Sequence, residues 1–117
     1  MSSAFSSDDI DVDPARVKQA LESGDATVID VREQYERDAG HIDGTRHIEL
    51  ERLASQADSI DRDKPVIFQC RLGARSAMAA QAFRAAGHEA YSLAGGIDRW
   101  HSEGGALRPD EGYVADH

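Results

Sequence analysis

The chain alternates short runs of β-branched and other apolar residues with segments that have helix-like spacing or composition. The apolar runs predict strands at residues 10–12, 27–31, 47–48, 66–69 and 90–93. The intervening segments predict helices at residues 14–23, 33–38, 50–60, 76–86 and 97–101. Because helices commonly connect parallel strands, this alternation predicts an α/β domain with a mainly parallel sheet and helices on both faces.

Particular residues define the ends and faces of the predicted helices. Asp13 is a typical N-cap before Pro14, and Gly24 is a typical C-terminal stop for the first helix. In the fourth helix, helical spacing predicts a core-facing stripe made of Ala79, Ala82, Phe83 and Ala86.

The length of 117 residues fits one domain, which we place at residues 9–109. The Ser-rich residues 1–8 show no apolar period and are predicted to be a mobile N-terminal segment, and residues 110–117 to be a C-terminal tail. No apolar run approaches the ~20 residues of a membrane helix, and the first 13 residues lack the features of a secretory signal. We therefore expect a cytoplasmic protein with no membrane partner.

The net charge of −9 argues against nucleic acid as a partner, because an acidic surface repels phosphates. The 22 acidic residues greatly outnumber the two lysines, Lys18 and Lys64. This acidic, lysine-poor composition has two interpretations: a salt-rich cytosol in a halophile, or a GC-rich genome that favours Arg and Ala codons.

The chain has a single cysteine, Cys70, which excludes an internal disulfide and a multi-cysteine zinc site. It follows the predicted strand 66–69 and precedes a predicted helix by about five residues, at the sheet edge where α/β proteins bind ligands. A short loop there can direct backbone N–H groups at an anion, and the helix N-terminus, Arg71 and Arg75 add positive charge. All of these features favour a thiolate, the reactive form of cysteine. A lone cysteine in this position is more often a small packed hydrophobe, but packing does not explain the joint placement of strand, Cys70, Gly73, Arg75 and helix.

The segment 66–76 resembles the active-site loop of a rhodanese domain. Residues 28–33, the Gly40-His41-Ile42 segment with Gly44, and the Gly95-Gly96-Ile97 segment with Trp100 resemble further motifs of that family, in the same order. The resemblance implies a five-stranded, mainly parallel sheet and a cysteine that carries sulfur as a persulfide. It also implies a substrate-binding loop made of Arg71, Leu72, Gly73, Ala74, Arg75 and Ser76.

The loop length separates two activities within the superfamily. Four residues lie between Cys70 and Arg75, which resembles the sulfurtransferases, whereas the related phosphatases have five. The two arginines favour a small dianion such as thiosulfate. Leu72 stands where many members have a polar residue, so the donor stays open.

Outside the loop, we expect supporting roles for three residues. Asp30 and Arg32 are predicted to form a buried ion pair or hydrogen-bond network, and His41 to brace its loop. Arg46 is a candidate for a further cation near the site. The histidines outside this set show no metal-ligand spacing, and no metal site is expected.

These observations predict a thiosulfate sulfurtransferase that passes sulfane sulfur from Cys70 to cyanide or a thiol, with no cofactor. The main alternative is a persulfide carrier that takes sulfur from one protein and delivers it to another, in tRNA or cofactor thiolation. The intact Cys70 and Arg75 disfavour a non-catalytic binding domain, and the loop length disfavours a phosphatase or arsenate reductase.

Overall fold

A computed structural model describes residues 9–117, and the predicted mobile segment 1–8 lies outside the described residues. The strands in this described part of the chain are β1 (Asp11–Val12), β2 (Thr27–Asp30), β3 (Arg46–His47), β4 (Val66–Gln69) and β5 (Ala90–Leu93). They form one sheet in the order β1-β5-β4-β2-β3, and every neighbouring pair is parallel. The predicted α/β fold is confirmed, and the sheet is parallel throughout.

The helices connect these strands and cover the sheet. They are α1 (Pro14–Ser23), α2 (Gln34–Ala39), α3 (Leu53–Gln56), α4 (Ala74–Ala85) and α5 (Gly96–Ser102). The predicted helix at 50–60 is instead a series of short pieces, with 3₁₀ turns at Leu50–Arg52 and Ala57–Ser59 on either side of α3. Few apolar residues in this stretch reach the core, so packing does not sustain a longer helix.

The helix α1 has the predicted ends. The Asp13 carboxylate accepts a hydrogen bond of 3.0 Å from the backbone N–H of Arg16, and Gly24 adopts the left-handed conformation with φ of 76°. The helix α4 begins two residues earlier than predicted, directly after Gly73.

The predicted core stripe of α4 is wrong in part. Ala79 and Phe83 are buried as expected, but Ala82 and Ala86 are exposed. The buried face consists of Ser76, Ala79, Ala80 and Phe83. Alanines occupy both faces of this helix, so their spacing alone did not identify the side that packs on the sheet.

Within residues 9–117, the buried apolar residues form two clusters. One contains Ile67 and Leu93 with residues of α1 and α5, and the other contains Phe68 and Cys70 with residues of α3 and α4. All four residues of β4 are buried. This central strand therefore holds the start of the Cys70 loop in a rigid position.

The chain after α5 returns to the body of the protein. Leu107 is buried, and His41 and Arg108 form an antiparallel bridge with backbone hydrogen bonds of 3.0 and 2.7 Å. Farther along, the N–H of Tyr113 donates to the carbonyl of Ala39 at 2.9 Å. The residues beyond 109 are thus attached to α2. In the described part of the chain, no helix combines the length and apolar character needed to cross a membrane.

Candidate active site

Cys70 is the first residue after β4, and its loop ends where α4 begins at Ala74. Its side chain is buried, with a residue exposure of 1%. Gly73 adopts a φ of 114°, a conformation that favours glycine and that turns the chain into the helix. The predicted position of Cys70, between the central strand and a helix N-terminus, is confirmed.

The sulfur of Cys70 lies among hydrogen-bond donors. Its Sγ accepts from the backbone N–H of Gly73 at 3.1 Å and from that of Ser76 at 3.4 Å. The Ser76 hydroxyl is also 3.4 Å from Sγ, and it shares a buried hydrogen bond of 2.7 Å with the hydroxyl of Ser92. Donors fixed in this way stabilise negative charge on sulfur without reorganisation.

The opposite face of the loop is attached to α5. The carbonyl of Cys70 accepts from the N–H of Ile97 at 2.8 Å, and that of Arg71 accepts from Asp98 at 3.0 Å. A Cβ added to Gly96 would overlap the carbonyl oxygen of Arg71 and would lie 2.6 Å from that of Cys70. Only glycine permits this close approach, so α5 fixes the shape of the loop.

Arg75 points from α4 to α2. Its guanidinium donates two hydrogen bonds of 2.9 Å to the two carboxylate oxygens of Glu36, which is fully buried. Burial acts to raise the pKa of Glu36, but hydrogen bonds from Arg75 and from the Glu33 backbone outweigh it and lower that pKa below its ordinary value. The hydrogen bond to Glu36 likewise raises the pKa of Arg75. This bidentate pair ties the active-site loop to α2.

Arg71 also faces a carboxylate, in a more exposed contact. Its Nη2 lies 3.2 Å from Oδ1 of Asp116, and the Asp116 side chain is 95% exposed. The sequence predicted two arginines that present their charge to an incoming anion. In the structure, both guanidinium groups already have an acidic partner.

The predicted supporting residues lie near α2. Asp30 and Arg32 form the expected buried ion pair, with hydrogen bonds of 2.9 Å from Nε and Nη2. Arg32 also donates to the carbonyl of Gly40 at 2.9 Å. His41 acts through its backbone bridge to Arg108, while its buried ring Nδ1 has no hydrogen-bond partner among the described residues. The side chain of Arg46 donates to the carbonyl and hydroxyl of Ser59, and it is not among the residues that line the Cys70 pocket.

A pocket of about 170 Å³ opens beside the cysteine. Its lining residues are Cys70, Arg71, Leu72, Ala74, Arg75 and His117. Sequence reasoning missed four residues that shape this site: Glu36, Ser92, Asp116 and His117. Each lies far along the chain from the loop, and no local motif links them to it.

Glu33, Glu36 and His117 place potential metal-ligand atoms within 4.8 Å of one another, which the spacing of the histidines did not indicate. Both carboxylate oxygens of Glu36 accept hydrogen bonds from Arg75, however. His117 Nε2 lies 3.1 Å from Glu33. The three side chains are therefore engaged in other contacts, Glu36 with Arg75 and His117 with Glu33.

Comparison with known proteins agrees with this geometry. A family profile described as "Rhodanese-like domain" matches residues 13–103. Thiosulfate sulfurtransferase GlpE of Pseudomonas aeruginosa is 38% identical over 90 residues, which cover 76% of this chain and 81% of the relative. The uncharacterized protein YqhL of Bacillus subtilis is 45% identical over 76 residues, 64% of this chain, and the match spans only 60% of that relative.

Two further matches concern a larger protein and a solved structure. The tRNA sulfurtransferase of Desulfurococcus amylolyticus is 38% identical over 81 residues, which cover 68% of this chain but 16% of that protein. The crystal structure of a rhodanese-related protein from Thermoplasma volcanium superposes with a TM-score of 0.77 and 29% identity, covering 83% of this chain and 95% of that one. On its motifs, its fold and these relatives, the chain belongs to the rhodanese-like domain family.

Proposed function

We propose that this protein transfers sulfane sulfur from thiosulfate to a thiophilic acceptor through a persulfide on Cys70. In the first step, the Cys70 thiolate attacks the outer sulfur of thiosulfate. The S–S bond of the donor breaks, and sulfite leaves with the bonding electron pair. The product on the protein is a cysteine persulfide.

The observation that carries this proposal is the pair of backbone N–H groups, from Gly73 and Ser76, that both point at Sγ. These donors, with the N-terminus of α4, stabilise the attacking thiolate and the anionic sulfur that follows it. Arg71 at the pocket wall attracts the donor and the leaving sulfite. Arg75 holds the loop through Glu36. Its role is therefore to keep the backbone N–H groups of Gly73 and Ser76 in position.

The second step returns the cysteine to its thiolate form. Cyanide or a thiolate attacks the terminal sulfur, the S–S bond of the persulfide breaks, and the electron pair remains on Cys70. The chain has no second cysteine, so the acceptor is an external molecule. The attacking electron pair comes from the Cys70 thiolate in the first step and from the acceptor in the second. In each step the leaving group keeps the pair of the broken S–S bond, so the scheme requires no cofactor.

The direct test is intact-mass measurement after incubation with thiosulfate. We expect the mass of one added sulfur atom, its loss on addition of cyanide, and the release of thiocyanate. Cys70→Ser is the matched control, because the hydroxyl is similar in size but forms no persulfide. A Cys70→Ser variant that kept more than about a tenth of the transferase rate, a loss of only ~1.4 kcal/mol in barrier, would contradict covalent catalysis at this residue.

A second candidate function is a carrier that takes sulfur from a protein persulfide and delivers it to a protein partner. Leu72 favours it, because this apolar side chain is 59% exposed and lines the Cys70 pocket, where it can contact a protein surface. The similarity to one part of a tRNA sulfurtransferase also agrees with it. Loading kinetics distinguish the two: a carrier would be loaded much faster by a persulfide-bearing protein than by free thiosulfate.

A further inference from the structure

The last five described residues, 113–117, form a strap across the active-site side of α2. The strap is attached by the hydrogen bond from Tyr113 to Ala39 and by one of 3.1 Å from the Tyr35 hydroxyl to the carbonyl of Asp116. Val114 packs against the core, and the backbone of Tyr113 lies too close to Gly40 to leave room for a Cβ there. These contacts place the strap at a defined position on the body of the protein.

The strap brings two side chains to the mouth of the Cys70 pocket. His117 lines the pocket and lies 3.1 Å from Glu33, as described above. Asp116 lies 3.2 Å from the guanidinium of Arg71. Since Arg75 is committed to the buried carboxylate of Glu36, Arg71 is the loop arginine with the more exchangeable partner.

We propose that Asp116 is a specificity-determining residue, an internal carboxylate that competes with anionic sulfur donors for Arg71. This inference rests on the proposed function, and it states which class of sulfur donor the Cys70 site favours. A donor with two negative charges displaces Asp116 more readily than a singly charged one does, and a neutral reagent gains nothing from the displacement.

The exposure of Asp116 sets the size of the effect. An ion pair on the protein surface is weak, so the carboxylate raises the effective dissociation constant of an anion by about two- to fivefold and does not block the site. Salt screens such a contact, and the effect is expected to shrink at ionic strengths near ~1 M, where the Debye length is about 3 Å.

The test uses the full chain and two alkylating reagents of similar size. Iodoacetate is an anion and iodoacetamide is neutral, and both alkylate the Cys70 thiolate with loss of iodide. We expect Asp116→Asn to raise the ratio of the iodoacetate rate constant to the iodoacetamide rate constant by two- to fivefold at low salt. The KM for thiosulfate is expected to fall by a similar factor. The matched control is Asp110→Asn, which removes one negative charge from another highly exposed position that pairs with Arg108 instead.

Each outcome decides the proposal. An unchanged reagent ratio in Asp116→Asn, or the same change in Asp110→Asn, overturns it. Equal acceleration of both reagents also overturns it, since that result would mean steric access and not charge. Alkylation does not depend on sulfur transfer, so a raised ratio without thiosulfate loading would support the role of Asp116 while rejecting the proposed function. Thiosulfate loading with an unchanged ratio would support the proposed function while rejecting the role of Asp116.

Discussion

At the scale of single residues, Glu36 determines what Arg75 does. Glu36 is fully buried, and both of its carboxylate oxygens are occupied by Arg75. A buried carboxylate that loses its partner is strongly destabilising, because its charge is then neither hydrated nor compensated. The two loop arginines therefore have different roles, even though both line the same pocket.

Replacing these arginines one at a time tests that difference. We expect Arg71→Ala to raise the KM for thiosulfate about tenfold, the loss of roughly one charge-assisted contact, with little change in kcat or stability. Arg75→Ala should lower kcat and reduce the free energy of unfolding by about 3 kcal/mol. Steady-state kinetics and urea unfolding measure both quantities.

The double variant Arg75→Met with Glu36→Leu is the control for the second effect. It removes both charges, so it should recover much of the stability that Arg75→Ala loses. Purely binding-type defects of equal size in Arg71→Ala and Arg75→Ala would contradict the division of roles.

The residues of the loop could be predicted from sequence, whereas their partners could not. Cys70, Gly73 and Ser76 lie within seven consecutive positions, and the turn from strand to helix brings their backbone groups to one point. Glu36 is 39 residues away from Arg75, and nothing local pairs them. The two guanidinium groups were therefore expected to be available to an anion, and the structure gives each a carboxylate partner.

At the scale of elements, the contact between α5 and the Cys70 loop holds the site together. Gly96 has a φ of 63° and lies against the carbonyls of both Cys70 and Arg71. A methyl group there would have to displace backbone atoms, which cannot rotate away as the end of a side chain can. The position therefore combines an unfavourable conformation for alanine with a lack of space.

Gly96→Ala is expected to reduce both stability and activity, because the loop must move away from α5. We expect a loss of well over 1 kcal/mol in the free energy of unfolding and at least a tenfold fall in the transferase rate. The control is Gly104→Ala, at a φ of 90° with no atom within 4 Å of the added Cβ. That variant should cost about 1 kcal/mol through its backbone conformation alone and keep its activity. Equal activity losses in both variants would argue against a role of α5 in shaping the loop.

The elements themselves were largely predictable, because strands and helices alternate with clear local signals. β4 begins with an apolar run at residues 66–68, and α1 has Asp13 and Gly24 at its ends. The errors have physical causes: α4 has no side-chain cap to mark its start, and alanines lie on both of its faces. The packing of residues 105–117 on the body involves contacts with residues near position 40, and a polar composition does not predict such contacts.

At the scale of the whole molecule, the net negative charge bears on both stability and activity. The net charge is −9, and the exposed aspartates include neighbouring clusters such as Asp58, Asp61 and Asp63. Repulsion between such groups destabilises the compact state at low ionic strength. Added salt weakens that repulsion, and it also weakens the attraction of a dianion to Arg71.

Raising KCl from ~0.1 M to ~2 M should therefore raise the unfolding temperature. The Debye length is about 10 Å at ~0.1 M and has fallen to about 3 Å at ~1 M. If the protein comes from a salt-rich cytosol, activity should rise over the same range. In an acidic protein without that adaptation, activity should fall because screening at the site dominates. Thermal unfolding and thiocyanate release measure the two effects, and an unfolding temperature that is flat or falls would reject the halophile interpretation.

Acid should lower the free energy of unfolding through protonation of Glu36. Its pKa is lower in the folded protein than its ordinary value of 4.5, so the folded state binds fewer protons than the unfolded state in this range. The stabilisation is fully present above about pH 4.5 and is lost as the pH falls through the lower folded value. Glu36→Gln should remove this pH-dependent stabilisation. The free energy of unfolding, measured with urea, should then vary less with pH below that value. Glu51→Gln, which removes an exposed carboxylate, is the control, and the same flattening in both variants would contradict the assignment to Glu36.

The attachment of the loop to α5 has a consequence for protein engineering. The loop is held at β4, at the start of α4 and, through the carbonyls of Cys70 and Arg71, along its outer face. A fifth residue inserted between Cys70 and Arg75, which would give the five-residue spacing of the related phosphatases, could not be absorbed by the loop alone. Converting this sulfur site into a phosphate site therefore requires a coordinated redesign of α5, and Gly96 is the position at which such a redesign would have to start.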